Sequence, residues 1–233
     1  LQFLGGIGIV VMAIAMLPFL SVGGMQLFKT ESSDISEKLL PQIKQIAAGI
    51  FIAYVILNLL CAVAFWLAGM TGFEAAIHAM AAVSTGGFST SDDSIGHFKS
   101  PAIEWIGALF MFLGGLPFIL YIRTAMGHRG ALARDPQVRM IAVLVLAASV
   151  AVAGWLVQYR DIPAADAFRL ALFHVVSIAT TTGFVAADYM VWGAFPIAAF
   201  FFLTFVGGCT GSTAGGIKIF RFEVLAIAIR VHA

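Results

Sequence analysis

Charge is what this sequence has least of. Only 11% of its 233 residues are Asp, Glu, Lys or Arg, less than half the share usual in soluble domains. That excludes both a soluble globule and a disordered tail. Cysteine is nearly as scarce. Cys61 and Cys209 are the two present, both in apolar stretches, so neither a disulfide scaffold nor a four-ligand metal pattern can be built. A formal net charge of +1 offers no broad basic face, and no nucleic-acid partner is expected. What is abundant is apolar surface: 61% of residues are hydrophobic, with 21 Phe and 24 Gly. The class is integral membrane.

Charged residues are absent from five long stretches, 1–28, 45–73, 105–122, 140–159 and 189–217, of 28, 29, 18, 20 and 29 residues. A spanning helix needs about 20 apolar residues, so five spans are expected. Two further uncharged runs, 75–91 and 170–187, hold 17 and 18 residues. Glycines and polar residues interrupt them, which makes them marginal for a crossing. No secretory leader is visible, since Leu1 opens inside an apolar run with no basic segment before it. The chain reads as the central portion of a longer protein.

An internal repeat organises the sequence. At an offset of 96, His78 falls on His174, Gly87 on Gly183, Phe88 on Phe184 and Asp92 on Asp188. A shorter echo, Phe-Leu-Gly-Gly at 3–6 and 112–115 and Phe-Val-Gly-Gly at 205–208, marks a third copy. Each unit reads span, short glycine-broken loop, span. The fold class is therefore an all-α integral membrane protein with re-entrant short helices. The expected division starts with the last span of a truncated first repeat at 1–28 and an inner loop at 29–44. A second repeat follows at 45–122, with its pore loop at about 73–92, and an inner loop at 123–139. The third repeat covers 140–222, with a pore loop at about 165–188 and a broken last span, before an inner linker begins at 223–233.

Orientation follows from Lys and Arg. Alternating the five spans puts ten of the 13 basic residues on one side and leaves Lys99, Arg160 and Arg169 on the other. By the positive-inside rule the first side is cytoplasmic. The assignment requires both 17- and 18-residue runs to dip in and return to the same face. The outer face then carries a formal −4 and the inner face +5.

The re-entrant segments carry the chemistry. Residues from about 73 to 83 and from about 165 to 179 suit helices too short to span. Each leads into a polar, glycine-containing stretch, Ser84-Thr85-Gly86-Gly87-Phe88 or Thr180-Thr181-Thr182-Gly183-Phe184. Non-helical backbone at membrane depth persists only where protein buries it or where it lines a water-filled path. A short helix entering from outside points its partial negative end at the membrane centre. Carbonyls freed beyond it can replace a cation's hydration shell, and glycine lets the backbone turn them without Cβ interference. Main-chain cation coordination is implied. The plain alternative is a pair of ordinary Gly/Thr turns, against which two copies in register argue.

A second break is expected in the last span. As a helix, 189–217 would be about 44 Å long, beyond the roughly 30 Å hydrocarbon core. Five of the ten residues from Gly207 to Gly216 are glycine, each costing up to about 1 kcal/mol in a helix interior. Tight packing of small residues against a neighbouring helix is the other reading of those glycines.

These motifs resemble the TrkH/KtrB/HKT superfamily of potassium transporters, most closely its TrkH branch. The carrying residues are Val83 to Phe88, Thr180 to Phe184, and Gly207-Gly208-Cys209-Thr210-Gly211-Ser212-Thr213-Ala214-Gly215-Gly216-Ile217-Lys218. The opening Gly5-Gly6-Ile7-Gly8-Ile9 and Gly23-Gly24-Met25-Gln26-Leu27 add to them. The resemblance implies a potassium-channel-like fold in which four repeats surround one pore. Gly87 and Gly183 would be the key filter glycines, with the residues around them as filter strands, and potassium is the one metal expected there. It also implies an intramembrane gate at 207–216 with Lys218 near its inner end. The implied assembly is a homodimer in the bacterial inner membrane. A cytosolic nucleotide-binding ring of the TrkA type would dock on it, with Glu31 to Lys44 and Arg123 to Arg139 as the facing segments. No cofactor is expected beyond the transported K+.

Other signals are weaker. Asp92 and Asp188 can concentrate cations at the outer mouth, but a unit charge at about 10 Å in water contributes only about 0.4 kcal/mol. Gly211 to Lys218 lacks the glycine that a phosphate loop needs before its lysine. His78 and His174 have no metal-ligand company and read as packing or polar contacts. Ser212 has no partners for nucleophilic catalysis, and no enzyme is expected. A secondary transporter with broken helices, coupled to Na+ or H+, would also use glycine-interrupted spans and midplane sites. A non-transporting scaffold would explain the hydrophobicity but not the matched loops.

Overall fold

The computed structural model describes residues 1–8, 34–128 and 130–232. The expectations for 9–28, including the Gly23–Leu27 motif, and for 29–33 and Arg129 fall outside them. Residues 2–8 are helical. The main helices that follow are α1 (Asp34–Leu67), α2 (Gly72–Val83), α3 (Pro101–Gly114), α4 (Phe118–Ala125), α5 (Ala131–Arg134), α6 (Pro136–Arg160), α7 (Ala164–Ala179), α8 (Ala194–Leu203) and α9 (Ile219–His232). Among the described residues there is no strand, only an isolated parallel bridge between Val206 and Ile217.

Two helical stretches are long and apolar enough to cross a membrane, Gln45–Leu67 with 23 residues and Pro136–Arg160 with 25. Their flanks show why they start and stop. At the head of α6, Pro136 occupies the first turn and the Asp135 carboxylate accepts the Gln137 and Val138 N–H groups at 3.0 and 3.2 Å. The helix ends at Asp161 in a left-handed conformation, φ 52°. The stretch expected to cross at 105–122 is a bent pair, α3 and α4, which together are long and apolar enough for one span but turn by 91° between them. Gly114 and Gly115 are poor helix formers, and Pro117, the residue before α4, has no N–H to continue the ladder of α3.

The chain that follows each short helix comes back to the level at which α7 starts. The indole N–H of Trp155 and the Arg160 Nε, at the end of α6, donate to the Trp192 carbonyl at 3.0 and 3.3 Å, just ahead of α8. Residues 161–191 therefore leave and regain the same level. Glu104 in the first turn of α3 meets Arg169 near the start of α7 at 2.7 Å, which brings the second repeat's return to that level too.

One apolar core joins the elements. Gly107 of α3 leaves room for the Phe173 ring of α7, 3.1 Å from where a Cβ would stand, with Phe65 of α1 behind it. Large apolar side chains also cover the outside, among them Phe51, Ile52 and Leu59 on α1 and Val143, Leu146 and Val150 on α6. In water that surface would be unsatisfied; against lipid it is the expected exterior of a multi-pass membrane protein.

Candidate functional site

The site begins with how α2 and α7 stop. Thr71 and Glu74 form a reciprocal cap on α2: the Glu74 N–H donates to the Thr71 hydroxyl at 3.3 Å and the Thr71 N–H to the Glu74 carboxylate at 3.0 Å. Hydrogen bonds from the Thr71 hydroxyl and backbone hold that carboxyl below its ordinary range. At the other end the chain leaves the helix by a turn made twice. Thr85 N–H donates to the Ala82 carbonyl at 3.1 Å, and Thr181 N–H to Ile178 at 2.9 Å. Gly86 N–H reaches Ala81 and Thr182 N–H reaches Ser177, both at 2.8 Å. Each pair is separated by the 96 residues of the sequence repeat.

Backbone conformation repeats as well. Thr85 and Thr181 have φ of 52° and 58°, and Gly87 and Gly183 have φ of 72° and 86°. Left-handed residues thus alternate with Gly86 and Thr182 in both turns. A threonine held at positive φ costs on the order of 1–3 kcal/mol, here at two matched positions. The two turns lie against each other: a Cβ on Gly87 would run into the Thr182 carbonyl, whereas the same atom on Gly183 meets nothing within 4 Å. The paired phenylalanines part company, since Phe184 is buried and Phe88 is 74% exposed.

The Phe-x-Gly-Gly echoes pack beneath these turns. A Cβ on Gly6 would stand 2.8 Å from Ser84 Cβ, and one on Gly115 2.9 Å from the Thr180 methyl. Ser84 and Thr180 are equivalent positions, so the second glycine of one unit faces the root of the next unit's turn. Gln2 adds a contact of its own, donating to the Gly86 carbonyl at 2.8 Å.

Above the turns, the two histidines brace the returning chain. His78 Nδ1 lies 2.8 Å from the Glu74 carbonyl and Nε2 2.8 Å from the Ser89 hydroxyl. His174 Nδ1 lies 2.8 Å from the Leu170 carbonyl, and its Nε2 faces the Ala186 and Ala187 amides at 3.3 and 3.4 Å. The same Nε2 also lies 3.1 Å from the Ala187 carbonyl, so each ring links its own helix to the chain that returns from the turn. Beyond them opens a cavity of about 650 Å³, lined by Gly87, Gly183, Asp92, Asp93 and Asp188 among others. Asp92 and Asp188 are exposed there, and Asp188 also accepts the Met190 N–H at 2.9 Å.

On the opposite side of the turns lies the segment from Gly207 to Gly216. It is not helical, and its polar groups are mostly taken up. Cys209 N–H donates to the Gly115 carbonyl at 3.0 Å, and Phe118 N–H to the Gly211 carbonyl at 3.0 Å. The Thr213 hydroxyl sits 2.9 Å from the Val83 carbonyl, 3.1 Å from that of Gly114 and 3.3 Å from the Thr85 hydroxyl. Gly215 N–H donates to the Thr181 hydroxyl at 2.7 Å. Ser212 is buried and donates to the Cys209 carbonyl at 2.7 Å, and the Lys218 ammonium caps the Ala214 carbonyl. Gly208 and Ala214 press together, while Gly211 and Gly216 supply positive φ of 80° and 71°. The packing that the bent α3–α4 pair provides is what seats this loop.

Sequence reasoning missed several participants. The break at 114–117 was signalled by its Phe-Leu-Gly-Gly echo and by Pro117. Gln137, whose side-chain oxygen accepts the Thr210 N–H at 2.9 Å, had no signal, nor did the Arg169–Glu104 pair.

A family model described as the cation transport protein TrkH matches residues 1–232. The Trk system potassium uptake protein TrkI of Halomonas elongata is 50% identical over 231 residues, 99% of this chain and 47% of that protein. The Trk system potassium uptake protein TrkH of Vibrio parahaemolyticus is 40% identical over 97% of this chain and 48% of its own. The crystal structure of the potassium transporter TrkH from Vibrio parahaemolyticus superposes with a TM-score of 0.83 at 37% identity, over 97% of this chain and 46% of that one. The chain thus spans about half the length of the curated relatives it matches.

Proposed function

The chain belongs to the TrkH family of cation transport proteins, and on that premise we propose that it is part of the pore-forming subunit of a potassium uptake system. Transport, not enzymatic chemistry, is the business of this family. Potassium enters from the acidic outer mouth at Asp92 and Asp188. It exchanges its hydration shell for carbonyls of 84–88 and 180–184, which act as two strands of a filter. It then meets the 207–216 loop, which acts as a gate, and leaves on the basic inner face. K+ is the transported ion and the metal held at the filter.

The observation that carries this reading is the alternation of left-handed residues, 85 and 87 in one turn and 181 and 183 in the other. An ordinary Gly/Thr turn gives no reason to strain a threonine twice, 96 positions apart. A row of carbonyls facing one axis does. The division into repeats and inner loops given above is part of the proposal. So are the bacterial inner membrane, the homodimer, and a TrkA-type nucleotide-binding partner on 31–44 and 123–139.

The test is flux of radioactive rubidium, a potassium analogue, through the full-length protein in vesicles. Rapid uptake down the rubidium gradient alone, competed by potassium and not by sodium, is expected. Uptake that saturates and requires an imposed sodium or proton gradient would assign a coupled symporter instead, and no uptake would leave a scaffold.

A further inference from the structure

We propose that Gln137 is a positioning residue for the gate: its side-chain carbonyl holds the Thr210 amide and so keeps the 207–216 loop seated beneath the filter. The inference rests on the gate reading above and adds the point at which the loop is held from the cytoplasmic end.

The hydrogen-bond partners of the loop separate it from its surroundings. The Gly207, Ser212 and Ile217 amides bond within the segment or to its own ends. The Cys209 amide bonds to Gly115, and Gly215 to Thr181, groups at the depth of the filter. Thr210 is different. Its amide reaches across 73 residues of sequence to the Gln137 side chain at 2.9 Å, at the second position of α6.

That side chain is well placed to be held or moved as a unit. Pro136 fixes the backbone just before it, and the Gln137 N–H is itself captured by the Asp135 carboxylate at 3.0 Å. Two residues along, the Arg139 Nε donates to the Ala133 carbonyl at 2.8 Å, which ties the cap back to α5. Gln137 therefore belongs mechanically to the 131–139 corner, within the inner segment proposed to face the cytosolic partner. A partner that rotates this corner withdraws an acceptor from Thr210 without touching the filter. Thr210 is exposed, so water takes over its amide once the loop leaves. The bond then contributes the modest net stabilisation of an intramolecular hydrogen bond, roughly a threefold to tenfold bias toward the seated loop.

The test uses full-length protein in which Cys209, fully buried in the seated loop, is the single cysteine. Gln137→Met removes the acceptor at similar side-chain length; Gln137→Glu keeps an oxygen at the same reach. In Gln137→Met the rate of Cys209 reaction with a small thiol reagent, and rubidium flux without the cytosolic subunit, are both expected to rise roughly threefold to tenfold. In Gln137→Glu both should stay within about twofold of wild type. Equal behaviour of the two variants, or a wild-type Cys209 rate in Gln137→Met, would overturn the proposal. A faster Cys209 rate with unchanged flux keeps Gln137 as the anchor of the loop and overturns the gate reading instead.

Discussion

The Thr181 hydroxyl accepts the Gly215 amide at 2.7 Å, so the innermost turn of one proposed filter strand and the loop beneath it share a hydrogen bond. On the other strand the Thr85 hydroxyl donates to the Thr213 hydroxyl of the loop at 3.3 Å. The proposed gate and the proposed filter are therefore joined by hydrogen bonds. Thr213→Val keeps the shape and removes the hydroxyl that meets Val83 and Gly114, at about 1 kcal/mol per bond lost. Flux without the partner subunit is expected to rise about fivefold while discrimination of potassium from sodium falls. Raised flux at an unchanged permeability ratio would separate the two parts again.

The two proposed filter glycines, Gly87 and Gly183, are expected to tolerate change unequally. Serine at either position must adopt a left-handed backbone, at about 1–2 kcal/mol. At 87 its Cβ also strikes the Thr182 carbonyl, whereas at 183 the space is open. Both Gly87→Ser and Gly183→Ser should weaken potassium-over-sodium selectivity with membrane insertion intact. Gly87→Ser should in addition lower the unfolding temperature in detergent. Wild-type permeability ratios in both variants would remove the filter assignment.

Replacing Cys209 to Gly215 with a short glycine linker, leaving Gly207, Gly208, Gly216 and Ile217 in place, should raise potassium flux and loosen its dependence on the cytosolic subunit. Neutralising Lys218 should act in the same direction but less, since its ammonium caps a single carbonyl, that of Ala214. If the glycines served only to pack helices, the replacement would instead misfold and abolish flux. A well-folded variant with wild-type flux and regulation would defeat both accounts.

Topology can be read with single cysteines and an impermeant thiol reagent on intact cells. His97, Ala165 and Met126 are exposed positions that avoid the crowding at Gly96, where a Cβ would lie 2.7 Å from the Ala186 carbonyl. His97→Cys and Ala165→Cys should label, and Met126→Cys only after lysis. Labelling of the Met126→Cys protein but not the His97→Cys protein would reverse the orientation.

Arg169 clamps the entrance of α7 to α3 through Glu104, their side chains 17% and 9% exposed, and to Asp166 alongside. Arg169→Leu strands the Glu104 carboxylate and is expected to cost about 3 kcal/mol. Adding Glu104→Leu should recover much of that loss. A double-mutant cycle on detergent unfolding measures it, and additive losses would show that the pair is not coupled.

The legible part of this protein was the part that repeats. His78, Gly87, Phe88 and Asp92 each have a partner 96 residues on, and short apolar runs flanked by Gly and Thr carry the signature of helices that stop at membrane depth. The bend at 114–117 was written in the same alphabet, yet an 18-residue uncharged run satisfies a length criterion whether or not it is straight. Contacts such as Gln137 with Thr210, or Arg169 with Glu104, join one side chain to a distant group once only. A single contact leaves no period, and a glutamine at a helix start looks like any polar residue facing water. The split fate of Phe88 and Phe184 has a similar origin: identical letters in a repeat meet different neighbours.

The parallel bridge at Val206 and Ile217 means that the chain leaves the loop at the level where it entered and heading the same way. The intervening residues add no height to the span. Their number is consequently free of the bookkeeping that fixes helix length against bilayer thickness, and an insertion there should lengthen a closed excursion without displacing α8 from α9. Closing a longer loop costs only about 0.6 kcal/mol per doubling. This stretch can therefore change its length and sequence, and with them its mobility, while the helices on either side keep their depth in the bilayer.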